Sequence, residues 1–130
     1  MASVRILVVD DSEAWRRAVC SLLQRQPDLV VVCESSDGID AVQKSKDFQP
    51  DLILLDIALP NLNGLEAARQ IRRVAPASRI LFLTSWCDRE LSDEALRIGA
   101  LGFVVKSDAA CDLLSAVSSI MRGEQFVSGG

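Results

Sequence analysis

The sequence predicts a doubly wound α/β fold: five parallel strands in the order 2-1-3-4-5, flanked by five helices. Three observations carry this. Five short apolar runs, at 6–9, 29–32, 52–55, 80–83 and 103–105, are continuous rather than alternating, as in strands buried on both faces. Segments with helical spacing separate them, and strands alternating with helices require parallel pairing through right-handed crossovers. The chain is also one domain long, with 130 residues and 14.1 kDa. At that mass about 6,700 Å² stays exposed of roughly 20,000 Å² in the extended chain, enough burial for a real core.

Each helix is legible in turn. Ala14, Ala18, Val19, Leu22 and Leu23 form the first stripe, opened by Ser12 as N-cap. Ile39, Ala41 and Val42 mark a second helix after Asp37-Gly38. Leu65, Ala68, Ile71 and Val74 mark a third, stopped by Pro76. Leu91, Ala95 and Ile98 mark a fourth, with Gly99 as its C-terminal stop. Leu113, Leu114, Val117, Ile120 and Met121 mark a fifth, closed by Gly123, and its apolar face either packs inward or in part serves a homodimer. Residues 1–123 thus read as one domain. The tail 124–130 loses periodicity, ends Ser-Gly-Gly and reads as the start of a linker.

Composition narrows the function. Half the residues are hydrophobic and a quarter charged, which excludes disorder. No apolar run approaches the ~20 residues of a membrane span and no secretory leader is expected, while unpaired, reduced cysteines fit a cytoplasmic setting. A net charge of −4 without a basic cluster argues against direct nucleic-acid binding. The chain has no histidine, so histidine acid–base chemistry and metal ligation are excluded. Cys20, Cys33, Cys87 and Cys111 form no CxxC pair and read as buried free thiols of a reducing compartment.

In doubly wound sheets ligands bind at the carboxyl ends of the strands, where the strand order reverses. The first strand ends in Asp10-Asp11, the third in Asp56, the fourth in Thr84-Ser85 and the fifth in Lys106. An aspartate after a strand is usually a turn or cap residue, and a lone threonine or lysine there is ordinary. Together they bring three carboxylates, a hydroxyl and an ammonium to one edge. Carboxylates so close repel unless a cation compensates. An all-oxygen set with few protein groups suits Mg²⁺. One carboxylate then remains as a nucleophile toward a phosphoryl group, whose oxygens Lys106 and Thr84 stabilise.

The constellation Val9-Asp10-Asp11, Leu55-Asp56-Ile57-Ala58-Leu59-Pro60, Leu83-Thr84-Ser85 and Gly102-Phe103-Val104-Val105-Lys106 resembles the receiver domain of bacterial two-component response regulators, a flavodoxin-like, CheY-like fold. The likeness extends from residue 4 to about 122. Lys106-Ser107 and Arg122-Gly123-Glu124 are similar to the LuxR/NarL-type subfamily, in which a linker and a helix-turn-helix DNA-binding domain follow. The resemblance implies Asp56 as phosphoacceptor, fed by a sensor histidine kinase. It implies Mg²⁺ on Asp11, Asp56 and the Ala58 carbonyl, with Asp10 acting mostly through metal-bound water. Lys106 pairs with the carboxylate or phosphoryl group, Thr84 moves to the phosphoryl group, and Phe103 turns inward into the space vacated. The expected protein is a switch rather than an enzyme, capable of Mg²⁺-dependent self-phosphorylation, with DNA reached only through an effector domain outside this chain.

This sequence also departs from the family pattern. Leu59 stands where many relatives carry Met, Ser107 where many carry a proline, often cis, and Phe103 where Tyr is frequent. By resemblance Ala58 and Trp86 flank the path of hydrolytic water. Neither offers a hydrogen-bond acceptor to orient it, so slow autodephosphorylation is expected. Rival readings are weaker. A flavin binder needs a hydroxyl- and glycine-rich loop where Asp10-Asp11 stands, and neither GxGxxG nor GxxxxGK[ST] occurs. A phosphatase or transferase of another fold would favour Asp-x-Asp after the first strand. The remaining alternative is an interaction module of the same fold that is not phosphorylated.

Overall fold

The computed structural model describes residues 3–85 and 88–128. Trp86 and Cys87 lie outside the described residues, so the roles read for them are not located. The elements in chain order are β1 (Val4–Val9), α1 (Glu13–Leu23), β2 (Leu29–Ser35), α2 (Gly38–Phe48), β3 (Leu52–Leu55), α3 (Gly64–Val74), β4 (Arg79–Thr84), α4 (Arg89–Ile98), β5 (Gly102–Val105), a 3₁₀ turn (Lys106–Asp108), α5 (Ala109–Met121) and β6 (Phe126–Val127).

All pairings are parallel, and the strand order is β2-β1-β3-β4-β5-β6. The predicted order 2-1-3-4-5 is present, but the sheet has six strands, not five. The sixth falls in the segment read as linker. Phe126 pairs with Gly102 and Val127 with Phe103. Ser128 donates its N–H to the Phe103 carbonyl (2.9 Å), and its Oγ accepts the buried Val105 N–H (2.9 Å). Two residues are too short to show a period, which is why composition alone read this segment as tail.

Because strand side chains alternate between faces, consecutive residues feed two cores. Leu7, Val9, Ile53, Leu55, Phe82 and Phe103 face the side covered by α2, α3 and α4. Ile6, Val8, Leu52, Leu54, Leu81 and Val104 face the side covered by α1 and α5. The apolar stripe of α5 packs inward, with Leu113, Ala116, Val117 and Ile120 all buried. The exposed area, 6484 Å², is close to that expected from the mass.

Helix boundaries follow the capping residues. Ser12, Asp37, Asn63 and Asp88 each accept a backbone N–H in the first turn of α1, α2, α3 and α4. Gly99 closes α4 at φ +115°, in the left-handed region that glycine enters without strain. The thiols do not match the buried reading. Cys111 is exposed and Cys20 and Cys33 are half-buried. Cys111 lies two residues from both Ala109 and Leu113, on the outer face of α5. Burial, with Glu34 or Asp40 nearby, raises the Cys20 and Cys33 pKa values above the ordinary range.

One glycine sets the site's geometry. A Cβ on Gly64 would lie 2.0 Å from the Asp56 carbonyl oxygen, and the Gly64 N–H donates to the Ile57 carbonyl at 2.8 Å. The start of α3 is thus seated directly on the backbone of the β3 end. Gly64→Ala is expected to destabilise the fold by about 1–3 kcal/mol through overpacking. A urea unfolding midpoint equal to that of the unmutated chain would refute this.

Candidate functional site

The carboxyl ends of β1, β3, β4 and β5 converge as the topology requires. Asp10 follows β1 and is buried, its N–H bound to the Ser35 carbonyl at 3.0 Å. Its Oδ1 accepts the Ser12 N–H (2.8 Å) and its Oδ2 meets the Lys106 Nζ (2.6 Å). Asp56 follows β3, buried to 5% exposure, with its N–H on the Val9 carbonyl (3.1 Å). Its Oδ1 accepts the Ile57 N–H (2.7 Å) and, at longer range, the Ala58 N–H (3.4 Å), while its Oδ2 accepts from Lys106 Nζ (3.1 Å). Asp11 is exposed beside them, and carboxylate oxygens of Asp10, Asp11 and Asp56 lie within 4.8 Å of one another.

Lys106 opens the 3₁₀ turn after β5, its side chain 16% exposed. Burial alone would lower the pKa of its ammonium. The hydrogen bond to Asp10 and the charge and hydrogen bond of Asp56 outweigh that, and the pKa is raised. Its contribution to stability is therefore complete at neutral pH. It is lost only as pH rises through the raised folded-state value.

Thr84 ends β4 opposite Val105 and is buried at 1% exposure. Phe103 pairs with Phe82 and is buried in the core under α2, α3 and α4. The resemblance implies that Phe103 turns inward on switching; in this conformation it is already inside. Ala58 lies exposed just past Asp56. No cis peptide bond occurs among the described residues, Lys106–Ser107 included.

Two features escaped the sequence. Trp15 lies under the lysine, with Lys106 Nζ 5.1 Å from the ring centroid. The expectation of no basic cluster also needs correction, because a groove of about 480 Å³ between α3 and α4 gathers Arg69, Arg72, Arg73 and Arg97 around Glu94. The cluster combines neighbouring turns of α3 with the end of α4. Glu94 pairs with both Arg69 (2.8 Å) and Arg97 (2.7 Å), which offsets part of its charge.

A doubly wound parallel sheet with three carboxylates, a hydroxyl and a lysine at its carboxyl edge defines a signalling receiver. The chain belongs to the response regulator receiver domain family, whose model matches residues 6–118. Among curated relatives it is 33% identical over 121 residues to the transcriptional regulatory protein LiaR of Bacillus subtilis (93% of this chain, 57% of that protein). It is 35% identical over 122 residues to the response regulator protein VraR of Staphylococcus aureus (94% and 58%). The chain thus spans somewhat over half the length of these relatives. Among solved structures it resembles a two-component response regulator of the LuxR family from Aurantimonas sp. SI85-9A1, at TM-score 0.93 and 33% identity, covering 98% of this chain and 91% of that one. The response regulator domain of Thermotoga maritima CheB is also similar, at TM-score 0.86 and 34% identity, covering 92% and 97%.

Proposed function

We propose that the chain accepts a phosphoryl group on Asp56 from a sensor histidine kinase and passes the change to an output such as transcription, through a DNA-binding domain outside these residues. The observation that carries this is the placement of Asp56: buried, fixed by the Ile57 N–H through one oxygen and held by Lys106 through the other. In the step, an Asp56 oxygen attacks phosphorus as the bond to the donor breaks. Lys106 and Thr84 then stabilise the phosphoryl oxygens.

The acidic cluster suits Mg²⁺. Its donors are all oxygens and within 4.8 Å of one another. Asp11, Asp56 and the Ala58 carbonyl would hold the ion, with Asp10 acting through metal-bound water. When bound, Mg²⁺ neutralises the carboxylates so that an anionic phosphoryl group can approach. No helix among the described residues is long and apolar enough to cross a membrane.

The test is incubation with Mg²⁺ and a small acyl phosphate, followed by intact mass. The expected result is one added phosphoryl group, lost when Mg²⁺ is chelated. An unchanged mass would favour the interaction module. The phosphorylated state should decay slowly, since Ala58 carries no polar group to orient water. Ala58→Asn combined with Trp86→Glu is expected to accelerate the decay. An unchanged rate, or loss of phosphate within seconds from the unmutated chain, would refute this.

A further inference from the structure

We propose that Trp15 is a positioning residue for Lys106: its indole face holds the ammonium beside Asp56 while the carboxylates engage other groups. The inference rests on the phosphoacceptor reading. Trp15 sits in the first turn of α1, where its backbone N–H donates to Ser12 Oγ (3.2 Å). Its half-buried ring packs on the core beneath α1 and α5, with Lys106 Nζ 5.1 Å from the centroid. That distance lies within cation–π range. The ammonium is therefore bounded by Asp10 Oδ2 (2.6 Å), Asp56 Oδ2 (3.1 Å) and the electron-rich ring face.

These three boundaries respond differently to chemistry at the site. A cation on the cluster draws charge from the carboxylates and weakens their hold on Lys106, and a phosphoryl group on Asp56 takes that side chain out of its present contact with the ammonium. The ring's quadrupole does not titrate and ligates no cation, so its hold persists. The indole also cannot compete with the ammonium for the carboxylates. Its Nε1 is buried without a hydrogen-bond partner. Without the ring, a flexible four-carbon stem leaves the ammonium free to swing toward water.

The test compares the unmutated chain with Trp15→Met, which fills the space without a π face, and Trp15→Phe, which keeps a weaker one. Phosphorylation of Asp56 by an acyl phosphate with Mg²⁺ is followed by intact mass. The titration of Lys106 is followed by NMR of its side chain, which is simple to assign among three lysines. Trp15→Met is expected to slow phosphorylation about three- to ten-fold and to lower the Lys106 pKa, with Trp15→Phe in between. If Trp15→Met does not fold, Trp15→Phe alone must show both effects in reduced size. An unchanged Lys106 titration, or a lowered one with an unchanged rate, overturns the proposal. If the unmutated chain takes no phosphoryl group while the titration still responds to Trp15, the phosphoacceptor reading fails and the Trp15–Lys106 contact stands.

Discussion

Asp56→Asn is expected to abolish the phosphoryl mass increment while leaving the fold intact. An amide oxygen is too weak a nucleophile for phosphorus, so the covalent step is lost outright. The structure says why the loss is confined to chemistry. The Asn carbonyl oxygen can still accept the Ile57 N–H that Asp56 Oδ1 accepts at 2.7 Å. Lys106 keeps its shorter contact with Asp10, at 2.6 Å. Removing one of three crowded carboxylates also relieves repulsion, so the unfolding midpoint should hold or rise. Intact mass and urea unfolding on the same sample check both halves. A labelled Asp56→Asn protein, with the phosphoryl group on Asp10 or Asp11, would refute the assignment.

The strands were readable because a sheet covered on both faces needs unbroken apolar runs, and four of the five predicted runs lie wholly inside observed strands that exceed them by no more than two residues. The exception is β2, which runs on past the apolar stretch and ends in the polar pair Glu34-Ser35. It pairs only with β1, at a sheet edge, with a register shift between Ile6 and Leu7. β6 was hidden for a related reason: an edge strand of two residues needs no hydrophobic run, and backbone pairing with β5 suffices. Asp10, Asp56 and Lys106 were legible because topology alone brings strand ends together. Trp15 was not, since its approach to Lys106 depends on how α1 lies against the β5 end. The arginine groove was equally hidden, because it joins two helices 25 residues apart at Arg69 and Glu94.

Asp10→Ala and Asp11→Ala are expected to have opposite signatures in two assays. Both oxygens of Asp10 are already engaged, Oδ1 by the Ser12 N–H and Oδ2 by Lys106. Asp11 is exposed, with no hydrogen bond or ion pair among the described residues, so its carboxylate is the one available to a metal. Without Mg²⁺, Asp10→Ala should lose about 1.5–3 kcal/mol, the worth of hydrogen bonds to a charged group, while Asp11→Ala should be neutral or slightly stabilising. The gain from Mg²⁺ runs the other way. Ligand at about 100 times its Kd stabilises a binding-competent fold by roughly 2.7 kcal/mol, and that gain should vanish in Asp11→Ala and persist, reduced, in Asp10→Ala. Thermal unfolding with and without Mg²⁺ reads both effects, and calorimetric titration gives the two affinities directly. Equal Mg²⁺ titrations for the two variants would refute the division of labour between direct and water-mediated ligands.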